Sequence, residues 1–513
     1  MRLTRWLKTL GMAMLPLGAA HAAVYTCDSV ACLGVAILAA NSTVEPDSIE
    51  LAPRRYVLAS PATDDLPFGP TGFPVVTSTI TIRGNNAILQ RAFYGCSVSQ
   101  PTQNPFRLFG ISSRGRLILQ DLTLTAGCAL GFPGDERGIG GAGGAIINDG
   151  GFLSLTRVTL SGNKARAGGA LFSTRGTVLS TATSIVNNEA EHSGGGVALE
   201  EASAVFNAAI VQSNLSSSGG GLSILRGETQ FNGRVLANGS THSGGGFMVR
   251  DGILRIRDSE VGANRTTGPS GAGVAMVAGT LQVTRTTISA NFCPRCQGGG
   301  VAVRDLDTGL QSFIRQSTIY GNSAAREGGG ISARQGLAEF GTAPLLRVEN
   351  STLGMNFADT GAAVHAEAVA GSTVATVALV NVTLARNFAY RRGDALAVAG
   401  DGTILVLNTI VSSESSSAAE NCFPVAAAGF ISTGHNLGED TTCNLVSIGD
   451  LSGVAAGLFP YAETGAPGGG HFPLGAGSLA IDAGICGLGL ELDQLGRPRD
   501  DGRCDMGAVE SRK

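Results

Sequence analysis

Acidic, basic and imidazole side chains can cleave a polysaccharide or hold a metal only where the fold brings them together. Six residues past a recurrent glycine stand Glu200, Leu225, Arg250, Val277, Arg304, Arg334 and Glu367, with Asp251 and Asp305 one residue further on. If the repeats stack, these side chains lie one above another, and no two carboxylates share that offset on adjacent repeats. Asp251 and Asp305 fall two repeats apart, about 10 Å by strand spacing, too far for a nucleophilic pair and near the range of an inverting pair. They are expected to be solvated turns. His192 and His242 precede two "SGGG" runs and could share a metal only if their loops fold toward each other, so loop positions are expected. Asp482, Asp493, Asp505 and Glu510 could hold calcium, against the simpler expectation of backbone-bonded turns and pairing with Arg497 or Arg499. The glycine runs carry no "GK[ST]" and open no helix, which excludes a phosphate loop. No catalytic residue, metal or cofactor is expected from these residues.

The elements that would position them come from a repeat. Its first glycines are Gly143, Gly168, Gly194, Gly219, Gly244, Gly271, Gly298, Gly328, Gly361 and Gly393, spaced 25 to 33 residues apart. Three residues after each stands an apolar residue, from Ile146 through Val197 and Phe247 to Leu396, and alternation follows it. A half-buried strand therefore follows every glycine. Five to seven residues before the glycines stand Asn163, Asn188, Asn214, Asn238, Asn264, Asn291, Asn322, Asn356 and Asn387, each three residues after an apolar residue. Asparagine tolerates a left-handed turn, and stacked copies can bond each other. Each repeat then holds two or three short strands and no helix of useful length. It can bury its apolar face only against its neighbours. The expected fold is all-β, a right-handed parallel β-helix (a solenoid) with an N-terminal helical cap and a small C-terminal module. A β-propeller needs ~40 residues per blade, which these steps do not supply.

Composition agrees with a large turn-rich β-protein. Of 513 residues, 43% are hydrophobic and 15% charged, with 75 glycines and a net charge of -4. Lysine occurs only at Lys8, Lys164 and Lys513, so no basic field awaits a nucleic acid. Arg2, Arg5 and Lys8, an apolar run and the small residues Ala20 and Ala22 describe a cleaved signal peptide over residues 1–22. No later stretch suits a membrane helix. In an exported chain, the ten cysteines suggest disulfides between sequence neighbours: Cys27 and Cys32, Cys96 and Cys128, Cys293 and Cys296, Cys422 and Cys443, Cys486 and Cys504. Cys293-Pro-Arg-Cys296 could instead be a redox or zinc pair, but no second CxxC or HxxxH accompanies it.

The expected domains are a cap and first coil over 23–74, the β-helix over 75–421, and a C-terminal module over 422–513. "CLGVAILAAN" from Cys32 to Asn41 is a candidate capping helix. The "GGAI" and "GGAL" motifs at Gly143 and Gly168, with apolar-x-x-Asn, resemble repeats of polymorphic outer-membrane proteins and bacterial right-handed β-helix proteins. Cys32, Leu33, Ala36, Ile37 and Asn41 resemble the CSLREA domain, with Gly34 and Val35 in place of its charged pair. "SLAIDAG" at Ser478, "DQLGRPR" at Asp493 and "CDMGAVE" at Cys504 are similar to the choice-of-anchor Q domain. With the signal segment and the census of acidic and imidazole residues above, the expected function is an exported or cell-surface scaffold for adhesion or carbohydrate contact, without catalysis, whose partner is a carbohydrate or protein. The alternative is a polysaccharide lyase or hydrolase. Acidic side chains meeting in one groove would favour it, whereas a purely structural rod would lack exposed aromatics beside a concave patch.

Overall fold

A computed structural model describes residues 22–93, 95–96, 104–130, 140–307, 310–336, 345–369, 376–412, 420–424, 429–499 and 502–511. The expected signal segment lies, but for Ala22, outside the described residues. The chain is all-β with parallel sheets, and each strand of the array pairs with its counterpart one repeat away. Ile146 lies beside Leu171, Leu171 beside Val197, Val197 beside Leu222, and the row runs on through Phe247, Val274, Val301, Ile331 and Val364 to Leu396. These are the apolar residues three past each glycine, and all are buried. A second row of strands, such as Phe152–Ser161 and Ser203–Gln212, is bent midway by a left-handed residue, Arg157 in one and Ala208 in the other. A third row, short strands such as Phe292–Cys293 and Phe388–Arg392, forms a separate ten-stranded sheet. Its inward residues are small: Ala165, Ala190, Ala324, Ala358 and Ala389 are buried.

The corners explain the two sequence markers. Each index glycine has φ between +52° and +70°, where a side chain is strained. In seven of the ten repeats a second glycine follows, confined by contact rather than torsion, since a Cβ on Gly195 would lie 2.4 Å from the Gly220 carbonyl oxygen; Ala272, Ala362 and Asp394 stand there in the others. At the opposite corner the left-handed residue is not the asparagine but its predecessor, such as Gly162, Asn187, Ala237, Ala263 or Met355. This corrects the expected left-handed asparagine, whereas the expected bonding between stacked copies is present. The asparagines are buried and form a ladder in which each Nδ2 donates to the Oδ1 of the next, at 2.9–3.1 Å from Asn163 to Asn387. The same Oδ1 accepts the preceding asparagine's backbone N–H, and Nδ2 also donates to a carbonyl of the previous repeat, as from Asn264 to Val235. Every amide is thus satisfied without water.

The helix α1 spans Val30–Asn41, two residues longer at its start than expected. The Ser29 side chain caps it by accepting from the Cys32 N–H, and Leu33, Ala36, Ile37 and Ala40 are buried against the first strands. No helix among the described residues is long and apolar enough to cross a membrane. The cysteines pair as Cys27–Cys32, Cys96–Cys128, Cys293–Cys296, Cys422–Cys443 and Cys486–Cys504, with Cα separations of 4.9–5.8 Å.

Parallel pairing does not stop at Asn421, the expected boundary. Cys422–Pro424 pairs with Leu396–Val398, Phe430–Ser432 with Ile404–Val406, and Leu451–Ser452 with Leu437–Gly438. An open strand edge would leave backbone groups unpaired, and these irregular segments cover it without the glycine signal. Beyond them the chain turns back along the side of the stack. Gln494 donates to Thr318 Oγ1 and accepts from Thr352 Oγ1, Gly468 N–H donates to Thr287 Oγ1, and Ala508 N–H donates to Thr383 Oγ1. These four threonines occupy one register row, so the module straps together consecutive repeats.

The acidic residues of this strap serve its backbone. Asp493 accepts from the N–H groups of Leu495, Arg497 and Glu510, and Asp505 from those of Asp482 and Ser511. Glu510 pairs with the buried Arg499, yet burial pushes its carboxyl up to about 7. The folded strap therefore favours protonated Glu510, a stabilisation complete below the ordinary carboxyl value of 4.5 and lost as pH rises through about 7. Raising the pH across that window is expected to shift the melting-temperature difference between Glu510→Gln and wild type in favour of the variant. A difference that does not change with pH would show that Glu510 is not held protonated.

Candidate binding face

The row read from the sequence stacks as expected: Glu200, Leu225, Arg250, Val277, Arg304, Arg334 and Glu367 are successive partners. Asp251 and Asp305 sit beside it at left-handed turns, and Asp305 accepts from the Gly336 N–H. His192 lies 3.5 Å from Arg166 and His242 3.1 Å from Ser217 Oγ, and both stand on short strands of the ten-stranded sheet, Glu189–Ser193 and Gly239–Ser243, rather than in the expected loops. Cys293 and Cys296 are buried with Ala272 and Ala324, as a staple of the corner.

The outer faces of the glycine-strands form the floor of a groove, and the corners ahead of the glycines form its wall. Floor residues Glu200, Ser223, Met248 and Arg250 and wall residues His192, Ser193 and Ser218 enclose a cleft of about 240 Å³. Burial raises the Glu200 carboxyl above its ordinary value there. Four repeats further along, a cluster appears that equal-offset reading did not find. His365 is 4% exposed beside Ser332, Arg334 bonds Glu367 at 2.9 Å, and Glu327 reaches in from the wall. Burial holds the His365 imidazole below its ordinary value, while Glu327 and Glu367 pull it upward. His365 Nδ1, Glu327 Oε2 and Ser332 Oγ are sealed from solvent and have no hydrogen-bond partner among the described residues. Glu327 escaped notice because it stands one residue before a glycine, on the wall rather than the floor.

The outer side of the short-strand sheet carries the other feature missed. The residues following the ladder asparagines point outward there, and in later repeats they include Arg265, Phe292, Phe357 and Phe388. Phe292 is 43% exposed beneath the Arg265 guanidinium, 5.4 Å from its ring centre. Phe357 and Phe388 lie 6.5 Å apart, and Tyr390, 73% exposed, packs edge-on to Phe388 at 5.2 Å. Tyr390 stands two residues from Arg392, which stacks over Thr360 and, through it, Glu327 of the groove wall. Aromatic surface and groove therefore share one lip. Alignment on the asparagines rather than the glycines exposes this row in the sequence, with phenylalanine at that offset in three of the last four repeats.

No family model matches the chain, and no curated protein matches it. Among solved structures it is similar to an alginate lyase from Paenibacillus sp. str. FPU-7, at 10% identity and a TM-score of 0.19, covering 81% of this chain and 99% of that one.

Proposed function

We propose that the protein is an exported right-handed parallel β-helix that binds a carbohydrate chain along this lip, as a contact or adhesion scaffold. The observation that carries the reading is the Phe357–Phe388–Tyr390 surface, rigidly spaced by parallel strands beside a groove, with Tyr390 exposed and the two phenylalanine rings half-buried. Exposed aromatic faces offer apolar area to sugar rings at little cost in side-chain entropy. A purely structural rod has no use for them. The expected signal peptide and the five disulfides support export. Within this proposal residues 23–74 form a CSLREA-like cap, and the C-terminal region is a choice-of-anchor Q-like module.

Affinity electrophoresis of the full mature chain through gels containing single polysaccharides tests the reading. At least one glycan is expected to retard the wild type, and the Phe388→Ala/Tyr390→Ala variant is expected to bind it about tenfold more weakly. Mobility unchanged by every glycan would reject carbohydrate contact.

Cleavage of the bound chain is the second reading, because Glu327, Arg334 and Glu367 surround His365 in one groove. The sealing of His365 Nδ1 and Glu327 Oε2 weighs against it, since a general base must reach the proton that it takes. New chain ends released by wild type but not by His365→Ala would establish cleavage.

A further inference from the structure

We infer that the ligand of this lip is an anionic polysaccharide, recognised through its carboxylate or sulfate groups. The inference rests on the carbohydrate reading above and adds the charge of the ligand. Over much of the stack, arginines are neutralised by carboxylates of neighbouring repeats. Arg157 bonds Asp121, Arg175 bonds Asp149 and Arg285 bonds Asp258, each at 2.6 Å, and Arg234 bonds Glu260 at 2.8 Å. Along the lip this pairing fails. Arg265, Arg295, Arg326 and Arg392 are exposed, and among the described residues none has a carboxylate within ion-pair distance. Arg391 is 76% exposed and holds Asp359 at 3.1 Å, the one carboxylate bonded on this stretch.

Arg114, Arg116 and Arg257 also lack a carboxylate partner, and Arg116 lies over the Phe152 ring at 4.0 Å from its centre, but that pair stands on the second row of strands, away from the lip. On the lip, Arg265 lies over Phe292, and Arg392 lies over Phe423 at 4.5 Å from the ring centre. A guanidinium held over a ring keeps its edge free to donate to an oxyanion. The lip thus alternates flat apolar surface with unspent positive charge along the direction of stacking. A linear polymer of sugar rings bearing regular anionic groups matches both features. The net charge of -4 concealed this face, because carboxylates elsewhere outnumber the arginines they neutralise.

Binding of the full mature chain to polygalacturonate, dextran sulfate, neutral dextran and a thirty-residue oligo-dT, at low and high salt, tests the inference. Polygalacturonate supplies carboxylates and dextran sulfate supplies sulfates, so the preferred source is read directly. At least one of the two is expected to bind at least tenfold more tightly than dextran, with affinity falling as salt screens the arginines. Arg326→Ser/Arg392→Ser should lose about tenfold of that affinity and keep its melting temperature, while the corresponding lysine pair should recover part of the loss. Dextran binding as tightly as the anionic glycans would overturn the anionic assignment and leave carbohydrate contact standing. Oligo-dT binding as tightly as the anionic glycans would overturn it in favour of general polyanion capture. If no glycan binds, both readings fail together.

Discussion

Replacing Asn264 by alanine is expected to destabilise its part of the stack by about 3 kcal/mol, more than an ordinary surface change and without creating any large cavity. The loss falls on neighbours. The Asn238 backbone N–H and Asn238 Nδ2 both donate to Asn264 Oδ1 at 3.0 Å, and the Val235 carbonyl accepts from Asn264 Nδ2 at 2.9 Å. Removing the amide strands two buried donors and an acceptor, each worth roughly 1–3 kcal/mol when left unpaired. Hydrogen exchange reads the effect locally, which suits a repeat array whose unfolding need not be all-or-none. Faster exchange is expected at the Asn238 amide and in the adjoining repeats, with the N-terminal helix unchanged. Uniform protection would show that the ladder contributes little.

Gly195→Ala is the second large effect, and its cause is contact. The added Cβ would meet the Gly220 oxygen at 2.4 Å, the Leu215 oxygen at 2.5 Å and the Leu215 nitrogen at 2.6 Å. All three are backbone atoms of the next repeat, held by parallel pairing, so no rotamer change relieves the overlap. A cost of roughly 3 kcal/mol or greater is expected, seen as poor accumulation or a large drop in melting temperature. Gly34→Ala is the matched control. Nothing lies within 4 Å of its Cβ position in α1, and alanine in a helix should stabilise by about 0.5–1 kcal/mol. Similar tolerance at the two sites would refute the close-approach account of the glycine runs.

The markers of the repeat were legible because they answer to local rules. A left-handed corner selects glycine, a crowded approach selects a second glycine, and a buried turn with donors and acceptors to satisfy selects asparagine. The first glycine and the asparagine recur throughout and the second glycine in seven of ten repeats, Ala272, Ala362 and Asp394 standing in the others, so Gly194 and Asn188 could be aligned with their counterparts from sequence alone. The exact left-handed position was misassigned by one residue, because the amide's long-range bond to the next repeat, not its local torsion, fixes the asparagine. The candidate binding face was less legible. Tyr390 and Arg392 are ordinary residues one by one, and only the alignment of rows on a folded surface makes them neighbours of Phe357 and the groove wall. Glu327 and His365 meet across two rows with different offsets, which a search at one offset could not join. The stack's extension past Asn421 left no glycine mark, since its last strands are short and irregular.

The asparagine ladder also has a direction. Each rung lends its oxygen to the repeat before it, so a repeat is completed by its successor and never by its predecessor alone. A chain delivered amino end first would therefore lock stepwise, every arriving turn closing the one already placed, and the unfinished edge would always be the newest. The same directionality makes copy number a free variable, because excising one whole period rejoins an oxygen to an amide of the same kind and leaves no rung without its partner.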